Sequence, residues 1–436
     1  MVLTAQAQDK GILDQYIHTA LGSNDALKGK QFELQKSLYA LKEAKGLFLP
    51  TVAFNASYSL ATGGRRIELP VGDLLNPVYA TLNQLTQSQS FPQIENASSQ
   101  LLPSNFYDAK FRVQQPILNT EIMYNKKIKE EQIGLKELEI RTYQRELAKQ
   151  IKTAYFQYLQ ATDALGVYDN ALVLLAESRR VSKSLIDNGA GLPSILVRAD
   201  AELARLTASR ADAENNQLNA TAYFNFLLNR DFNAPIEVDS LYLSPNKFAI
   251  DTPAQQEREE LSQLRQAQKI SDLVLKLNKS YYRPKLNAQL DLGSQDFDFK
   301  FNNQSRYMQL GISLDVPIWS GNRNLNKIKE AEMDVAALQT QADAAADQIR
   351  LQAEVAKNSY LSSVKVFESY AAQVYSARKF YRDALKRYKE GQSNYIEILD
   401  AQTAVTSAEL QQSIALSNVW IKAAELERAT ATYLID

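Results

Sequence analysis

Near the carboxyl end, the stretch "YIEILDAQ", Tyr395–Gln402, sets Glu397 and Asp400 three residues apart in an otherwise apolar run. On a helix that spacing puts both carboxylates on one face, where like charges repel mildly and interrupt packing. Such a pair can exchange protons, ligate a metal, cap a helix or face water. The first two uses lack partners, since the 436-residue chain has no cysteine and a single histidine, His18. Thiolate sites, zinc triads and Ser-His-Asp chemistry are thereby disfavoured, and no catalytic residue, metal or cofactor is expected. Capping remains: Asn394 and Glu397 fit an Asn-x-x-Glu box at the start of a helix. Asp400 lies beyond the first turn, so capping does not explain it, and a water-filled space does.

The elements that would carry these residues are of two kinds. Leu118 to Asn188 contains no proline and only two glycines, and Asn322 to Glu390 contains neither. At about 1.5 Å per residue, each run would extend on the order of 100 Å as helix. Each breaks at a glycine-bearing turn, "DNGAGLPS" or "KEGQSN", and a second helical run follows. These are helical hairpins.

Four short segments alternate instead. "PTVAFNASYSL" sets Val52, Phe54, Ala56 and Tyr58 against Thr51, Asn55 and Ser57. "FYDAKFRVQQP", "LNAQLDLG" and "MQLGISLDVP" do the same. Period-two alternation over about ten residues is a strand with one apolar and one polar face. Pro50 and Pro284 open the first and third strands, and Pro116 and Pro317 close the second and fourth. Lys110 and Arg112 belong on the polar face, because facing lipid near the midplane each would cost about 2–4 kcal/mol. Ala61 to Ser104 reads as a long, exposed and mobile outer loop. Trp319, Tyr281, Tyr282 and Phe48, beside the junction prolines, could form an interfacial aromatic belt or pack where helix meets strand.

The halves look duplicated: Pro116 and Pro317 are 201 residues apart, Gly189 and Gly391 are 202 apart. Under that shift "PSILVRAD" lies on "YIEILDAQ", with Ile195 and Arg198 opposite Glu397 and Asp400. The layout divides into an N-terminal helix (1–49), a β-hairpin with the long loop (50–117) and a helical hairpin (118–231). A linker with a helix (232–283), a second β-hairpin (284–318) and a second helical hairpin (319–436) follow. The fold class is mainly α with a small β portion and an internal two-fold repeat.

Balanced charge, Lys+Arg 49 against Asp+Glu 50, gives no footprint for nucleic acid. No apolar stretch reaches the roughly 18 residues of a membrane helix. The start "TAQAQ" resembles the small-residue end of a signal peptide, so a mature or trimmed chain is expected. Four strands with a polar face cannot close a barrel alone, and open edges fail in lipid. Three chains of four strands would close one with a wet lumen. A plain helical coiled-coil rod accounts for the helices but not the strands, and a stand-alone porin accounts for the strands without a pump.

The chain resembles the TolC-type outer-membrane efflux channel family over essentially its whole length. "LPTVAFNASY", "RPKLNAQLDL", "LDVPIWSGNRN" and above all "GQSNYIEILDAQ" carry the resemblance. It implies a homotrimer whose shared antiparallel transmembrane β-barrel, four strands per chain, joins a long α-helical barrel. The barrel would sit in bacterial outer-membrane lipid, with a large periplasmic portion closing like an iris. The family is not enzymatic; a periplasmic adaptor (membrane fusion) protein and an inner-membrane pump recruit it. Glu397 and Asp400 fall on the acidic ring of the periplasmic gate, and Tyr388 on a gate-latch tyrosine. Ser393 and Ile195 stand where some members have arginine and aspartate. The turns carrying Gly189, Gly191 and Leu192, and Gly391, Gln392 and Ser393, match the adaptor-contact tips.

Overall fold

The computed structural model describes residues 11–243, 248 and 257–433. In chain order the elements are α1 (Ile12–Ser23), α2 (Asp25–Gly46), β1 (Thr51–Ser59), β2 (Arg66–Leu69), α3 (Val71–Thr86), β3 (Ala97–Gln100) and β4 (Phe106–Leu118). There follow α4 (Thr120–Asp187), α5 (Ser194–Leu227), α6 (Glu259–Lys279), β5 (Lys285–Phe297), β6 (Arg306–Asp315), α7 (Arg323–Lys389) and α8 (Tyr395–Thr430). They fall into two compact units. One takes residues up to 39, 130–272 and from 331 on; the other takes 40–129 and 273–330.

The second unit holds a four-stranded antiparallel sheet in the order β1-β4-β5-β6. Phe54 pairs with Phe111, Phe111 with Leu292, and Leu292 with Met308, so one face collects the apolar residues. All four side chains are exposed, as are Leu310, Ile312 and Leu314. The opposite face satisfies itself. Arg112 donates two hydrogen bonds to Asp291, at 2.8 and 2.7 Å, and Gln289 a third at 3.0 Å. Asp291 is only 2 % exposed. Asp108 takes the Lys110 ammonium and a 2.9 Å bond from the Tyr307 hydroxyl. A soluble sheet hides its apolar face; this one bares it, the arrangement of a strand wall whose outer solvent is lipid. Gly293 lets β4 and β5 close up, since a Cβ there would stand 2.7 Å from Lys110 Cβ and 2.8 Å from the Ala109 carbonyl.

Three local expectations change. The N-terminal helix is two helices, because Asn24 leaves the helical region, and its side chain accepts from the Leu27 amide (3.0 Å) to start α2. β4 does not stop at Pro116 but runs to Leu118, with the register slipping between the two. Proline fits there because the slip leaves no ladder bond for its missing N–H to make. The segment 61–104 is ordered: β2 pairs with β3, and α3 lies between them. Asn76 exchanges two hydrogen bonds with the Ile94 backbone (3.0 and 2.9 Å) and Asn83 two with Phe91 (2.7 and 3.0 Å). Its polar composition therefore builds structure rather than looseness.

The helical unit is held by separate cores along its long helices. Leu13 and Ile17 of α1 pack with Leu147, Ile151 and Tyr155 of α4 and Phe224 of α5. Tyr360, Phe367, Val419 and Leu426 join α7 to α8. Burial pushes the Tyr155 hydroxyl up to about 12. Ion pairs tie α6 in, Arg145 of α4 to Glu259 and Arg428 of α8 to Glu260; Arg428 also reaches Glu146 of α4, and Arg258 pairs with Glu260 at the start of α6. α4 has 68 residues and α7 has 67, about 100 Å of helical path each.

Candidate functional site

The turns that end α4 and α7 follow one plan. The Gly189 amide bonds the Ile186 carbonyl at 2.9 Å, and Ala190 the Leu185 carbonyl at 2.8 Å. Gly391 bonds Tyr388 at 3.0 Å and Gln392 bonds Arg387 at 2.8 Å. Both glycines take the left-handed conformation, φ 75° and 69°, closing a Schellman motif. Gly191 is required for another reason, because a Cβ there would stand 2.9 Å from Ile186 Cγ1. Leu192 is 68 % exposed; Gln392 is exposed and Ser393 half-buried.

The exits from the turns differ. α5 follows Pro193 with no side-chain cap, whereas the Asn394 carboxamide accepts from the Glu397 amide at 2.9 Å and starts α8. The reciprocal bond of a full capping box is absent among the described residues. The Glu397 carboxylate instead turns to an ion pair with Arg387 and to the Ser393 hydroxyl, which donates at 2.6 Å. A charge-assisted bond to a guanidinium outcompetes one to a neutral amide. Asp400 is exposed and takes no hydrogen bond or ion pair among the described residues. The two acids therefore differ in kind: one is engaged, the other free. Arg198, opposite Asp400 in the repeat, is exposed too.

Tyr388 is 4 % exposed, in a core of Val181, Ala199, Tyr381, Tyr395 and Ile398 that Ile195 also joins. Its hydroxyl lies 2.8 Å from Ser182 Oγ on α4. One turn away Lys389 reaches Glu177 at 3.1 Å. Hydrogen bonds from Arg180 and then Lys389 hold the Glu177 carboxyl down at about 2. Arg387, Ser182 and the Glu177–Lys389 pair escape a sequence reading. Ser178 and Ser182, one turn apart on a buried seam, are the nearest thing to a signal. His18 is exposed and apart from these residues. No group of three or more metal-ligating side chains occurs among the described residues. No helix among them is long and apolar enough to cross a membrane.

The chain thus combines a four-stranded sheet that bares an apolar face with helices of 68 and 67 residues. Residues 252–432 match the family profile "Outer membrane efflux protein". The outer membrane protein TolC of Escherichia coli is 21 % identical over 449 aligned positions, covering 98 % of this chain and 83 % of the relative. Among solved structures, VceC of Vibrio cholerae superposes with a TM-score of 0.76 at 14 % identity, covering 96 % of this chain and 95 % of that one. The Campylobacter jejuni CmeC outer membrane channel gives 0.76 at 14 %, covering 96 % and 85 %. The chain is thus similar over nearly its whole length to TolC-type outer-membrane efflux channels, and its C-terminal part carries the family match. The relatives it matches are outer-membrane proteins.

Proposed function

We propose that the protein is the export duct of a tripartite system, passing small molecules or proteins from an inner-membrane pump to the cell exterior. The observation that carries this reading is the reversed sheet, apolar outside and ion-paired inside, with edges β1 and β6 left for neighbouring copies. Three copies close it into a barrel in outer-membrane lipid, with a polar lumen. The helical hairpins continue the conduit into the periplasm, and the acidic face of α8 lines its inner constriction. Glu397 and Asp400 of three chains bring six carboxylates to that end, and the three Asp400, which take no ion pair among the described residues, favour cations there and admit multivalent cation block. Tyr388 latches this end, by its bond to Ser182 within one chain. The tips at Gly189, Gly191 and Leu192, and at Gly391, Gln392 and Ser393, meet a periplasmic adaptor, with Gly189, Leu192, Gly391 and Gln392 exposed and Gly191 and Ser393 half-buried. Transport in this scheme needs no reaction chemistry, so the channel itself is not an enzyme.

Planar-bilayer recordings test it. Asp400→Asn is expected to lower cation selectivity and weaken multivalent block, and unchanged values would remove the acid from the lumen. Changing Leu192 and Gly391 together is expected to abolish export and adaptor pull-down. Retention of both would leave a stand-alone porin.

A further inference from the structure

The two acids of "YIEILDAQ" do unlike work. Both Glu397 oxygens are taken, one by the Arg387 guanidinium and the other by the Ser393 hydroxyl at 2.6 Å. Its own amide is held by Asn394 at 2.9 Å. Arg387 closes the turn a second time, through its carbonyl, which accepts from the Gln392 amide at 2.8 Å. The last turn of α7, the connecting residues and the first turn of α8 are thus sewn together by four bonds. Two of them end on one carboxylate. Asp400, one helical turn on, has none among the described residues.

We infer that Arg387 and Ser393 form a clasp that withdraws Glu397 from the lumen, so that Arg387 sets the charge of the constriction. This rests on the reading of α8 as lumen-lining. An ion pair presents almost no net charge to a passing ion. The working ring is then one carboxylate per chain, Asp400, while Glu397 fastens the tip. Arg387 is a specificity-determining residue that acts by occupying its partner. Releasing it adds a second carboxylate per chain on the same helix face as Asp400, three residues away.

The test uses lanthanum ion as the blocker of the purified trimer in planar bilayers. Asp400→Asn is expected to weaken block about tenfold, and Arg387→Gln to tighten it about tenfold as Glu397 comes free. The charge-conserving double variant Arg387→Gln/Glu397→Gln is expected to stay within about twofold of the parent. If that double variant loses block as Asp400→Asn does, Glu397 is a ring acid and the clasp is overturned. Should Asp400→Asn leave block unchanged, it is the lumen reading that fails. The clasp is then judged by tryptic cleavage after Lys389. Glu397→Gln and Ser393→Ala are expected to speed that cut several-fold, with Asp400→Asn at the parent rate. Equal rates in all four proteins would refute the clasp.

Discussion

The hydroxyl oxygens of Ser182 and Tyr388 lie 2.8 Å apart in a buried seam, joining α4 to α7 within one chain. Ser182 also donates to the Ser178 carbonyl at 2.9 Å, so the tyrosine is left as the donor to Ser182. Tyr388→Phe removes that bond while keeping the ring, and is expected to cost about 1 kcal/mol. Thermal unfolding of the detergent-purified protein reads it. An unshifted midpoint would mean that the seam is held by packing alone.

Two glycines in neighbouring strands are expected to answer differently to alanine. A Cβ on Gly293 meets Lys110 Cβ and the Ala109 carbonyl, and backbone cannot step aside cheaply. Gly293→Ala should therefore cost about 1–3 kcal/mol and cut the yield of assembled channel. Gly311 on β6 has nothing within 4 Å of its Cβ position, so Gly311→Ala should assemble normally. Native gel electrophoresis of membrane extracts compares them, and equal yields would contradict the geometry.

Arg112 and Asp291 are coupled by two bonds on the polar face of the sheet. Asp291→Leu leaves a guanidinium without its partner, which destabilises more than removing both charges together. The double variant Arg112→Leu/Asp291→Leu should recover much of the assembly that Asp291→Leu loses. Additive losses in that pair of measurements would show the two residues to be independent.

Acid should loosen the helical unit through Glu260. Burial raises its carboxyl, but hydrogen bonds from Arg258 and Arg428 outweigh burial and hold it down at about 2. A carboxyl depressed in the fold stabilises it when ionised. That contribution is complete above the ordinary value of 4.5 and is lost as pH falls toward about 2. Glu260→Gln should flatten the fall of the unfolding midpoint across this window; an unchanged slope would assign the acid sensitivity elsewhere.

What the sequence discloses here follows from how local each signal is. Strand alternation and proline-free helical runs are written residue by residue, so β1, β4, β5, β6, α4 and α7 can be read directly. The order of 61–104 cannot, because it depends on Asn76 and Asn83 finding backbone partners 18 and 8 residues away. The spacing of Glu397 and Asp400 is visible, but their inequivalence is not. It arises because a left-handed glycine turns the chain and brings Arg387 back onto Glu397 from ten residues earlier. Asn24 shows the same limit on a small scale. An asparagine inside a helix-forming run is ambiguous until its side chain is seen to accept from Leu27.

The sheet order β1-β4-β5-β6 leaves an unpaired rim on either side, and its apolar face has no cover among the described residues. A lone copy in hydrocarbon would carry two rows of unmet amides and carbonyls, each group costing several kcal/mol. In the proposed trimeric barrel, insertion and association would therefore be a single event rather than two steps in sequence. The population of functional channel should rise more steeply than linearly with the amount of chain delivered to the membrane. A variant that folds its helices perfectly but blunts the β1 or β6 rim should poison copies of the intact protein that assemble with it, and so behave as dominant.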